Sequence, residues 1–109
     1  MDQNKIIYGV DISKPISSLM ARDALVECFF QAHCADAGLG TEDSTVNKGY
    51  CLDIVRKSIE ESGGDFQNPN RQSIVNAMGK LQEFAKNFRD QSIIQKHAGE
   101  MMKIVEKLN

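Results

Sequence analysis

Tryptophan is missing from this sequence, and five Phe and two Tyr make up only 6% of it. So few rings are thin material for a β-sandwich core, which draws on aromatic and β-branched side chains. Two prolines are all that the chain contains, so long helices meet few obligatory breaks. No apolar run approaches the ~18 residues that a membrane-crossing helix needs, and no membrane association is expected. The start, Met1-Asp2-Gln3-Asn4-Lys5, lacks the charged-then-apolar shape of a signal peptide, which points to the cytoplasm. Cys28, Cys34 and Cys51 are an odd number with no C-x-x-C pair, so they do not read as a secreted disulfide framework.

Neither charge sign dominates, and the net charge is −2. The two parts of the chain nevertheless differ. Residues 1–70 hold six Lys/Arg against eleven Asp/Glu, and residues 71–109 hold seven against four. Opposite signs let the two parts neutralise each other, while the basic part is also where a polyanion would be met.

What is present favours helix. Ala, Leu, Ile, Met, Lys, Glu and Gln are frequent, and 109 residues suit one domain with one core. Four periodic segments predict an all-α, four-helix antiparallel bundle with helices at about 15–37, 44–62, 69–88 and 91–108. Residues 1–12 form a short extended or frayed arm. Within it, Lys5 to Val10 read as a single extended segment. Such a segment must pair with a symmetry mate, lie on the helices or fray, because it cannot satisfy its own backbone groups.

The first helix can start at Ser13 as cap with Pro15 in its first turn, and Gly38 suits its end. Asp23, Glu27 and Gln31 make one polar stripe, and Arg22 and His33 a narrower second one. Between them lie Ile16, Leu19, Met20, Leu25, Val26, Cys28, Phe29, Phe30, Ala32 and Cys34. A helix apolar over that much of its circumference is packed on more than one side, or it is an interface. Thr41, Asp43 or Ser44 can cap the second helix, whose apolar face is Val46, Tyr50, Cys51, Ile54, Val55 and Ile59, and Gly63-Gly64 ends it. Asn68-Pro69 opens the third. Ile74, Met78, Leu81, Ala85 and Phe88, widened by Ala77 and Phe84, are matched by Ile94, Ala98, Met101, Val105 and Leu108, widened by His97 and Ile104. Two in-phase stripes joined near Arg89-Asp90 predict an antiparallel helical hairpin with arms ~27–30 Å long. Gly79 and Gly99 within it suggest close helix contact.

Motifs that carry chemistry are scarce. Cys28 and Cys34 stand about 240° apart on a helix, and Cys28 and His33 also diverge, so no tetrahedral metal site is expected. Glu-x-x-His does not occur, which removes the usual di-iron bundle pattern. Gly38-Leu39-Gly40-Thr41 lacks the Walker lysine, and Glu42-Asp43 would repel phosphate. No cofactor is expected, and no motif carries a family resemblance from which residue roles could be borrowed. The candidate pocket or interface residues are Asp23, Glu27, Phe29, Phe30, His33 and His97. The leading expectation is a non-enzymatic helical module that binds a protein partner or a second copy as a homodimer. A second reading is nucleic-acid binding through the basic C-terminal helical hairpin, with Lys80, Lys86, Arg89, Lys96, Lys103 and Lys107. The interleaved Glu83, Asp90, Glu100 and Glu106 describe a solvated face better. A third is an enzyme or ligand carrier with an inter-helix pocket lined by Asp23, Glu27 or His97.

Overall fold

The computed structural model describes residues 6–38 and 45–108, and within that range not the side chains of residues 37 and 45–47. The suggested caps Thr41, Asp43 and Ser44, and the side chain of Val46, lie outside the described residues. The chain runs β1 (Ile6–Ile7), β2 (Val10–Asp11), α1 (Ser18–Ala37), α2 (Thr45–Glu61), α3 (Arg71–Phe84), a 3-10 turn (Ala85–Asn87) and α4 (Gln91–Val105). The architecture is the expected four-helix bundle.

The helix ends show where local chemistry decided. Ser17, not Ser13, caps α1, its hydroxyl accepting from Met20 N at 3.2 Å. Ser13 instead donates from its backbone N–H and hydroxyl to Asp11 Oδ1, forming a side-chain turn that holds Pro15 outside the helix. Gly38, at φ 73°, closes α1 in the left-handed conformation. α2 ends in a full Schellman motif: Gly64 N–H reaches Ile59 O at 2.9 Å and Gly63 N–H reaches Glu60 O at 3.1 Å, with Gly63 at φ 87°. The α3 cap is Asn70 rather than Asn68. Its side chain accepts from Ser73 N, and Ser73 Oγ accepts from Asn70 N, a reciprocal box. Asp90 caps α4 through Ser92 N at 2.9 Å.

α1 is the central helix. It packs against α2, α3 and α4, most extensively against α4. Ala21, Ala24, Leu25, Val26, Cys28, Phe29, Phe30, Ala32 and Cys34 are all buried, so they are covered from several sides. Leu19 and Met20 depart from expectation at 47% and 42% exposed, although Ile16 and Ala21 on either side are fully buried. On α2 the buried stripe is Cys51, Val55, Ser58 and Ile59, while Tyr50 faces outward. On α3 the stripe is buried as read except Phe84, which turns outward. On α4 Met101, Ile104 and Val105, with Leu108 just past its end, are buried, while Ile94, His97 and Ala98 are only partly covered.

The α3–α4 hairpin forms, with two changes. Its arms are 14 and 15 residues, shorter than expected, since Ala85–Asn87 tightens into a 3-10 turn. Gln91 Nε2 donates to Ala85 O and Phe88 O, and Asp36 Oδ1 accepts from Arg89 N, which fixes that corner to the end of α1. The arms also touch each other less than each touches another helix. Gly79 and Gly99 therefore make no close helix contact: a Cβ at either would meet nothing within 4 Å. Each glycine costs ~1 kcal/mol relative to alanine in mid-helix, and nothing within the described chain offsets it.

The N-terminal segment lies against α1 and α4, one of the expected alternatives, and its backbone also finds a partner within the chain, which was not expected. β1 and β2 pair antiparallel, Ile7 opposite Val10, around Tyr8-Gly9. Both turn residues are left-handed, at φ 51° and 80°, as a two-residue hairpin turn requires. Glycine adopts this freely, whereas tyrosine does so at a cost. Beyond the hairpin, Ile16 bridges to Leu108, joining the approach to α1 to the exit from α4. Among the described residues no helix is long and apolar enough to cross a membrane.

Candidate functional site

The six residues singled out from the sequence do not all converge, although Phe29 and His97 line one slot between α1, α3 and α4. They fall into three places: a surface groove, an aromatic cluster and a hairpin anchor.

Asp23 and Glu27 share the groove. Its apolar wall includes Met20, Val26 and Leu52, its rim Asp23, Glu27 and Lys48, and the Tyr8-Gly9 turn closes one side, enclosing about 450 Å³. Leu52, 43% exposed, looks into it from α2. Asp23 is exposed and accepts two bonds from the Arg22 guanidinium at 2.9 and 3.0 Å. Arg22 also donates to Phe66 O at 2.9 Å and lies 4.5 Å from the Phe66 ring, clamping the α2–α3 loop onto α1. Glu27 accepts from Gln31 and Lys48, each at 3.0 Å. Burial alone would raise its carboxyl pKa, but those two partners outweigh it and hold the pKa below the usual carboxylate range. Asp23 and Glu27 are thus both ion-paired, and Glu27 is held ionised rather than protonated as a general acid would be.

Phe29, Phe30 and His33 belong to the packing of α1. Phe29 meets Phe84 edge-on at 5.6 Å and stacks near His33 at 6.3 Å, and His33 also faces Tyr50 and Phe88. The Nδ1 atom of His33 is buried and has no hydrogen-bond partner. Phe30 is buried beneath Lys48, whose ammonium sits 5.4 Å from the ring.

His97 anchors the hairpin. The Tyr8 hydroxyl lies 2.5 Å from His97 Nδ1, and the two rings stack at 5.8 Å. Burial holds the His97 pKa below 6.5, aided by Lys96 and opposed by Glu100. The phenol donates to Nδ1 in the neutral tautomer that carries the ring proton on Nε2. Burial, with Cys28 and Glu100 nearby, raises the Tyr8 pKa far above 10, so the phenol keeps its proton. The Cys28 thiol donates weakly to His97 O at 3.6 Å and is pushed up to about 11 by burial. Cys51 is also pushed up to about 11, again mainly by burial. These thiols stay protonated at neutral pH and are poor nucleophiles.

Tyr8 and Cys28 escaped the sequence reading as site residues. Tyr8 lies 89 positions from His97, and the one local sign was a tyrosine followed by glycine between short apolar pairs. Among the described residues no three His, Cys, Asp or Glu side chains assemble as metal ligands. No family model, no curated protein and no solved structure matches the chain.

Proposed function

We propose that this protein is a non-enzymatic helical interaction module that docks a second copy of itself through the groove between the hairpin, α1 and α2. The observation that carries the reading is the exposure of Met20 and Leu52 side by side with the buried Val26 in one groove with a charged rim. Adjoining exposed apolar side chains with polar surroundings usually mark an interface, and Leu19 extends the patch. The groove belongs to the acidic part of the chain. The basic part offers a complementary face on α4, where Met102 is exposed next to Lys103. Gly99 lies three residues before Met102 and leaves open space there, so a partner can approach the α4 backbone.

Several observations weigh against nucleic-acid binding and against one reaction site built from Asp23, Glu27 and His97. Lys103 is bridged to Glu100, Lys86 to Glu83 and Lys80 to Glu61, which leaves a mixed surface rather than a phosphate-binding stripe. Asp23 and Glu27 lie in a different place from His97, so the three do not form one reaction site. A cytoplasmic setting goes with the proposal, the three cysteines being buried unpaired thiols.

Light scattering across a concentration series tests it. The expected result is a reversible dimer that Leu52→Asp weakens at least ~tenfold, corresponding to about 1.4 kcal/mol, without a change in helical content. A strict monomer at high concentration, or an unaffected Leu52→Asp dimer, contradicts it.

A further inference from the structure

Between α1, α3 and α4 lies a slot of about 40 Å³ walled by Leu25, Phe29, Met78, Leu81, Ile94 and Met101 among others. Gln82 and His97 are its polar side chains, and Tyr8 occupies His97 Nδ1. A space this poor in polar partners is a bad site for water. It is not sealed. Gln82, Ile94 and Ala98 line both the slot and the groove between α3 and α4, which encloses about 510 Å³. Gly79 lines that groove as well, and the space a side chain would fill there is open. The helix therefore carries an unfavourable residue that no contact inside the described chain requires, at the entrance to an apolar slot.

We propose that the slot and groove together bind a single unbranched aliphatic chain with an uncharged, hydrogen-bonding head group. The terminal carbons enter the slot, where the flexible Met78 and Met101 can adjust to them. The rest of the chain lies along Gly79 and Ala98, small residues that let it approach both helix backbones. The head rests among the groove's amides. Gln82 and Gln95 offer donors and acceptors, and Gln91, whose Nε2 is engaged with backbone carbonyls, offers its Oε1. Glu83 and Lys86 lie 3.9 Å apart on the rim and cancel, so neither an anionic nor a cationic head finds an unpaired counter-charge. This site goes beyond the association reading, since it shares no lining residue with the Met20 and Leu52 groove.

Titration of the full-length protein with 1-octanol, followed through the methyl signals of Met78, Met101 and Ala98, tests the proposal. Octanoate and octylammonium serve as charged comparisons of the same chain length. The expected result is a saturable shift of those methyls with octanol, and binding weaker by at least ~tenfold for both charged chains. Ala98→Leu, which narrows the entrance, and Gly79→Leu, which fills open space on a helix it also favours, should each weaken octanol binding by a similar factor. Their thermal unfolding reports whether the fold is retained, and the Gly79 variant keeps the test valid if the Ala98 variant does not fold. The Leu52→Asp protein should bind octanol like the parent. No saturable shift, or unchanged binding by a folded Gly79→Leu protein, overturns the site. Equal binding of the charged chains overturns the head-group assignment.

Discussion

Tyr8 holds a left-handed backbone conformation at φ 51°, which costs a non-glycine residue ~1–3 kcal/mol. Its ring and hydroxyl offset that by packing on His97 and bonding Nδ1. Tyr8→Phe keeps the ring and removes the bond, so urea unfolding should show a loss of ~1 kcal/mol. His97 also makes stability depend on pH. Its folded pKa is lowered from 6.5 by burial and by Lys96, with Glu100 opposing. The unfolded chain therefore takes the proton first as pH falls. Stability is complete above pH 6.5, declines as pH drops towards the folded pKa, and levels off below it. Melting temperatures measured from pH 8 to 5 should show this decline, and His97→Gln should flatten that part of it. An unchanged profile in the variant would separate His97 from the effect.

At the scale of elements, periodicity was the legible signal. The stripes of α3 and of the second half of α4 recur at helical spacing and are buried, because packing there follows the 3.6-residue turn. Ile94, His97 and Ala98 in the first half of α4 are only partly covered. Ends were less legible. Two asparagines flank Pro69, and which of them caps depends on Ser73 returning a bond to Asn70. Asn70→Ala should cost ~1 kcal/mol in chemical denaturation, whereas Asn68→Ala should cost much less. The β-hairpin was not legible at all, since two strands of two residues carry no period to detect. Gly64 shows a packing demand that composition hides. A Cβ there would sit 2.5 Å from the Ser73 Cβ and 3.1 Å from Ile59 O. Gly64→Ala must push α2 and α3 apart, and its melting temperature should fall further than that of Gly79→Ala, which has free space and gains helix propensity.

For the molecule as a whole, the apolar excess of α1 was visible in its composition, but which part of it stays outside was not. Burial of Leu25 and exposure of Met20 depend on where α2, α4 and the hairpin happen to lie. The same holds for the site residues: Asp23 and Glu27 share a helix face in any helical reading, while the groove beside them needs Leu52 from α2 and the turn at Tyr8. Core and surface should respond differently to substitution. Ile104 is fully buried, so Ile104→Ala should cost ~2–5 kcal/mol. Leu52→Asp should leave folding stability within ~0.5 kcal/mol of the parent, as surface changes usually do. The most direct measurement of the association claim is a dilution series of amide NMR spectra. Self-docking predicts concentration-dependent shifts at Met20, Ala24 and Leu52 and, on the complementary face, at Gly99 and Met102. Spectra that stay fixed over the whole series, or shifts confined to other elements, would contradict it.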